Sequence, residues 1–267
     1  MLDSWKISNF YTNHFLKIPK KWSLSKKHYR IQTTDNKFVK LNKFESRINP
    51  HELRNYCIKF APAHVYFSVL NYLFPERVGK KYKANYAVPI NGEYVIDIDS
   101  YLLRRWHKHN PSKSWKVCKE CLENSKHLTI NVCQQLEQYY TDLSVVFSGR
   151  SGFHIHVHDF KVRDWTKYNW KNPIKSHEVS RFKFTKNLNL DVECFDRHHF
   201  IVSTDPMRII TVPETLNAET ELICKFIGNP KDLERKPIEQ IIKDSVPFGS
   251  LYGYPEPQFF RGREINA

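Results

Sequence analysis

The sequence predicts an α+β fold, a single domain over residues 1–267 with a small insertion at 104–126. Three observations carry this. Short apolar, β-branched runs mix with helical periodicity without strict strand–helix alternation, which argues against a doubly wound parallel sheet. Forty per cent of the 267 residues are hydrophobic and 14% aromatic, enough for a substantial core and too many for global disorder. The polar, His- and Cys-bearing stretch at 104–126 interrupts the core pattern.

In chain order, Tyr29–Thr33 and Lys37–Leu41 flank the turn Thr34-Asp35-Asn36-Lys37 and predict a hairpin. Pro50 after Asn49 marks a helix start with Asn49 as cap. His64–Leu70 is β-branched and aromatic, a buried strand, and Glu93–Asp99 is a second. Leu128, Val132, Leu136 and Tyr139 fall at helical spacing within Ser125–Tyr140. Ser144–Phe147, His154–His158 and Leu188–Cys194 read as strands, Pro237–Ser245 as a short helix, and Phe248–Phe260 as an irregular tail.

The formal net charge of +14 favours a polyanionic partner. Lys17 to Lys27 and the basic, aromatic stretch 161–187 suit a nucleic-acid backbone with stacked bases, or form a solvated face. No leader or apolar span of membrane length is recognisable, and six irregularly spaced cysteines fit a reducing, intracellular setting.

The most informative residues are Asp97 and Asp99 in Tyr94-Val95-Ile96-Asp97-Ile98-Asp99. A spacing of two puts both carboxylates on one face of a strand. Like charges so placed need a counter-ion, and Mg²⁺ or Mn²⁺ with oxygen ligands is the natural one. Asp191, within Asn189-Leu190-Asp191-Val192, is a third acid in an apolar strand, with Asp196 and Asp205 as rivals. Val145–Val157 reads strand, Gly turn, strand, and its Ser148, Arg150 and His154 offer donors to a triphosphate. His107 and His109 with Cys118 and Cys121 supply four N/S ligands for a structural zinc. His127 and Cys133 compete for that role, and a redox role for the Cys-x-x-Cys stays open. Cys57, Cys194 and Cys224 read as packing residues.

On these residues the chain resembles the archaeo-eukaryotic primase superfamily, and within it the catalytic small subunit of DNA primase. Ile96-Asp97-Ile98-Asp99 is similar to the first motif, Ser148, Gly149, Arg150 and His154 to the second, and Asp191 to the third. Val117–Leu122 is similar to the zinc stem, and Ala61–Ser68 and Tyr72–Pro75 to the segments before the first motif. The loop after Asp191 departs from the pattern: Val202 stands where a basic residue is usual, so His199 or Arg208 would substitute. The resemblance implies a two-sheet catalytic core with an RNA-recognition-motif-like half. It implies template-directed nucleotidyl transfer from nucleoside triphosphates, dependent on Mg²⁺ or Mn²⁺, on a single-stranded DNA template, with a primase large subunit as a candidate partner. Asp97, Asp99 and Asp191 would hold the metals and Ser148, Arg150 and His154 the nucleotide, with Lys40 and Arg208 as further contacts. A repair-type polymerase of the same superfamily, a nucleic-acid-binding module without catalysis, and a nuclease are the rivals.

Overall fold

The computed structural model describes residues 2–43, 47–79, 84–99, 117–161, 173–188 and 202–247. Two four-stranded antiparallel sheets carry the molecule. The first pairs β1 (Tyr29–Gln32), β2 (Phe38–Lys40), β3 (His64–Ser68) and β9 (Ile209–Thr211) in the order β2-β1-β3-β9. The second pairs β6 (Tyr94–Asp99), β7 (Leu143–Phe147), β8 (Gly152–Val157) and β12 (Lys225–Gly228) in the order β12-β7-β8-β6. Two small ribbons, β4 (Leu70–Tyr72) with β5 (Pro89–Gly92) and β10 (Leu216–Asn217) with β11 (Leu222–Ile223), complete the strands.

The alternation of side chains across each strand decides what packs where. In the first sheet Tyr29, Ile31, Val65 and Phe67 join one core with Ile7 and Phe10 of α1 (Ser4–Asn13) and Leu53 and Cys57 of α2 (Pro50–Phe60). The opposite face carries Gln32, His64 and Tyr66. In the second sheet Tyr94, Ile96 and Ile98 alternate with Val95, Asp97 and Asp99. The first set packs with Val145, Phe147, Phe153 and Ile155 against α3 (Lys119–Leu136), α5 (Pro230–Arg235) and α6 (Ile238–Ser245). Val95 and Val146 belong instead to the first core, so the acid-bearing face of the second sheet looks toward the first.

Local signals explain the helix ends. The Asn49 side chain accepts from the N–H groups of His51 and Glu52, while Glu52 accepts from Asn49 N at 2.6 Å, a capping box with Pro50 in the first turn. Asn229 and Asp232 repeat it at α5. The expected strand His64–Leu70 is split at Val69, where the chain leaves the first sheet for the ribbon. The helix expected from Ser125 starts six residues earlier, at Lys119, because Leu122, Ser125, Thr129, Val132 and Leu136 form one continuous buried stripe. Residues 119–126 are therefore helix packed on the core, and residues 104–116 of the expected insertion lie outside the described residues. The expected strand Leu188–Cys194 falls almost wholly outside the described residues, as does the tail from Phe248; Leu188 closes α4 (Pro173–Asn187).

Gly152 is the tightest point of the second sheet. A Cβ there would lie 1.7 Å from the Ile98 carbonyl oxygen. Gly152→Ala is expected to destabilise the fold by about 3 kcal/mol, because β8 must move off β6 to relieve the overlap. Urea unfolding measures this; an unchanged midpoint would disprove the close approach.

Candidate active site

β6 and β8 pair in a register that sets Asp97 opposite His154 and Asp99 opposite Gly152. Asp97 and Asp99 therefore emerge on one face, as their spacing predicts, beside the turn joining β7 to β8. Together they line a cavity of about 270 Å³. Ser148, Arg150, Ser151 and His154 form one wall, and Gln32, His64, Tyr66 and Thr211 of the first sheet form another. Asn217 and Glu219 of the β10–β11 ribbon close it.

The turn is built to hold its shape. Ser148 N donates to Gly152 O at 2.9 Å, and the Ser148 hydroxyl oxygen accepts from Arg150 N at 3.3 Å and Gly152 N at 3.2 Å. That leaves the hydroxyl hydrogen for a ligand. Gly149 sits at φ +78°, and a Cβ there would lie 3.2 Å from Cys224 N. The Thr220 hydroxyl donates to Gly149 O at 2.5 Å and ties the turn to the ribbon.

The charges are crowded. Ser151 Oγ donates to Asp99 Oδ1 at 2.7 Å, yet burial and the neighbouring Asp97 charge push the Asp99 carboxyl up to about 7. His154 Nε2 lies 3.5 Å from Asp97 Oδ1, and Arg208 Nη2 donates to Asp97 Oδ2. Burial brings His154 down to about 4 despite the attraction of Asp97, so its imidazole is neutral at neutral pH. Arg150 Nη1 pairs with Glu219 Oε2 at 3.1 Å, and Glu219 Oε1 lies 3.7 Å from His64 Nε2.

The structure brings Asp97, Asp99, Ser148, Arg150 and His154 together on this cavity, and Arg208 joins them through Asp97. Lys40 lies elsewhere: its ammonium donates to the carbonyls of Glu76 and Val78, and it is not among the lining groups. Asp205 accepts from Met207 N at 2.7 Å within its own turn and does not line the cavity. Asp191, Asp196, His199, His107 and His109 lie outside the described residues. Cys118 is the N-cap of α3 and Cys121 lies in its first turn, with a hydrogen bond between the two thiols. Among the described residues no cluster of three or more His, Cys, Asp or Glu is placed to hold a metal. His127 is exposed, whereas Cys133 is buried in the second core. Cys57 and Cys224 are buried too.

Gln32, Tyr66, Asn217 and Glu219 were not foreseen from the sequence. They come from the first sheet and the β10–β11 ribbon, far in sequence from the acids, and no spacing rule links them.

The site therefore lies in a two-sheet α+β domain, on an acidic strand that faces a Gly turn. The polymerase domain of Mycobacterium tuberculosis ligase D, in complex with DNA, has a similar fold, with a TM-score of 0.54 over 87% of this chain and 83% of that one at 10% identity. In sequence the chain is similar to DNA primase small subunits of archaea. It is 29% identical over 233 residues to that of Methanocaldococcus jannaschii, covering 77% of this chain and 63% of the relative. It is 26% identical over 254 residues to that of Pyrobaculum arsenaticum, covering 85% and 78%. The chain thus spans less than two thirds of the length of the first relative and about three quarters of the second. No protein-family model matches it.

Proposed function

We propose that this chain is a DNA primase or primase-polymerase, a nucleotidyltransferase that makes or extends short primers on a single-stranded DNA template. The observation that carries the reading is the convergence of Asp97, Asp99, Ser148, Arg150 and His154 on one cavity. The similarity to archaeal primase small subunits supports it.

The donor set fits a hard divalent cation. Two carboxylates share a buried face, and burial and the adjacent Asp97 charge push Asp99 up to about 7. Asp97 and Asp99, with Asp191 as the third acid, would hold Mg²⁺ or Mn²⁺. Bound there, the ions would supply positive charge to the triphosphate and would lower the pKa of the 3′-hydroxyl. The chain's own groups do the positioning. Arg150, 45% exposed, exchanges Glu219 for phosphate oxygens. The neutral His154 and the Ser148 hydroxyl each donate one hydrogen bond to the triphosphate. Arg208 orients Asp97. The 3′-hydroxyl attacks the α-phosphate and pyrophosphate leaves.

The sheet carrying β6 is the RNA-recognition-motif-like half of this reading. A structural zinc on Cys118, Cys121, His107 and His109 belongs to it, and the adjacent sulfurs at the start of α3 support that assignment. Cys118→Ser is expected to lower zinc content and melting temperature more than incorporation. Elemental analysis of the purified chain checks this; zinc-free protein would exclude the site. The proposed setting is intracellular, with a primase large subunit as partner. No helix among the described residues is long and apolar enough to cross a membrane.

Incubation with single-stranded template, labelled nucleotides and Mn²⁺ or Mg²⁺ tests the proposal. Products without a supplied primer identify a primase, and extension of supplied primers alone identifies a polymerase of the same type. Shortened template, or no incorporation by a folded chain, overturns it.

A further inference from the structure

β8 carries His154 and His156 on one face and His158 follows just past its end, with ring centroids 6.3 and 6.0 Å apart in succession. The row leads from the candidate active site to the other end of the strand. There a second cavity opens, of about 490 Å³, within the range of small-molecule sites. Glu93 at this end and Asp97 at the other are separated by about 13 Å of strand.

Its polar groups are placed for a ligand. The His158 side chain is 5% exposed, and neither ring nitrogen has a hydrogen-bond partner among the described residues. Its nearest charge is Glu93, 3.8 Å away, whose carboxylate is already engaged by Lys27 at 2.5 Å and His156 at 2.6 Å. Burial brings His158 down to about 4 despite Glu93, so it presents one N–H donor and one acceptor nitrogen. Asn71 donates to Asn91 Oδ1 at 2.7 Å, leaving Asn71 Oδ1 without a donor. Buried groups of this kind are costly unless something pairs with them.

The rim carries two lysines beside the lining carboxylates Glu93 and Asp159. Lys21 and Lys161 line it; Lys21 pairs with Asp142 at 2.9 Å but keeps its side chain 33% exposed. The lining carboxylate Asp159 accepts from Thr141 N at 3.0 Å and the Thr141 hydroxyl at 3.3 Å. Behind the cavity Arg181 is fully buried. Its Nη2 donates to the Glu93 carbonyl, its Nε has no partner among the described residues, and its guanidinium lies over the Phe160 ring.

We propose that this second cavity binds a phosphomonoester the size of a mononucleotide. The phosphate sits between Lys21 and Lys161, and the polar end meets His158 and the Asn71–Asn91 amides. A neutral imidazole and an amide pair read hydrogen-bonding edges, and paired ammonium groups select phosphate. The site is independent of the chemistry assigned to the first cavity.

Calorimetric titration of the full chain with adenosine monophosphate, in chelator, tests it. The chain is expected to bind. Arg150→Ala, in the first cavity, is expected to change affinity less than twofold. Lys161→Ala and Lys21→Ala, both at solvent-exposed positions, are each expected to weaken it about tenfold. Adenosine, which lacks the phosphate, is expected to bind at least about a hundredfold more weakly. Absence of binding overturns the proposal, as does loss in Arg150→Ala with no change in Lys161→Ala. Inorganic phosphate binding as tightly as the nucleotide overturns the size assignment.

Discussion

Asp97→Asn is expected to reduce incorporation by about 10³-fold or more, and Asp99→Asn by as much. Both substitutions keep side-chain volume and the β6–β8 pairing, so the loss is one of charge. Their stabilities should diverge. Asp97 is engaged by Arg208, whose side chain is only 13% exposed. Asn at 97 leaves that guanidinium without its countercharge, and the melting temperature should fall. Asp99 is pushed up to about 7 by burial and by Asp97. Asn at 99 relieves that repulsion, and the melting temperature should hold or rise. Incorporation assays and thermal melts on the two variants read both effects. Retained synthesis by either would remove the acids from the chemistry. Equal losses of stability would contradict the charge arrangement.

Glu93→Gln is expected to cost about 3–5 kcal/mol. Lys27 and Glu93 form an ion pair at 2.5 Å with side chains 0% and 6% exposed, and Lys27 lies 5.0 Å from the Phe67 ring centroid. Gln leaves the ammonium buried without a counter-ion. The double variant Lys27→Met/Glu93→Gln should recover part of the loss, since it removes the stranded charge. The pH dependence has a fixed sign. Burial alone would raise the Glu93 carboxyl, but Lys27, His156 and His158 outweigh it and hold it below the ordinary carboxylate range. A carboxylate depressed on folding contributes stability that is full above its unfolded value and lost as pH falls below it. Wild type should therefore lose stability in acid more steeply than Glu93→Gln. Denaturant midpoints across the acid range measure this; parallel curves would refute the pair's role.

Much of the site was legible because β6, the Gly turn and β8 are short, strongly patterned segments. A spacing of two fixes a face, so Asp97 and Asp99 are on one side whatever the rest of the chain does. Ser148 and Gly149 specify their own turn through local hydrogen bonds. Asn49 and Glu52 announce α2 with equal clarity. The start of α3 was misplaced because its first turn carries Lys119, Glu120 and Cys121, which look like loop until Leu122 is seen to continue the buried stripe. Lys40 stands apart from the cavity because a lysine's destination depends on which carbonyls the fold brings near, here those of Glu76 and Val78. Glu219 escaped notice for the same reason: its partners, Arg150 and His64, sit on different sheets.

Arg208 gives the acidic pair a resident cation of its own. Part of the negative charge on β6 is therefore compensated by the polypeptide before any ion arrives. Under the proposed function, an incoming ion would have to share or displace the guanidinium already seated on Asp97.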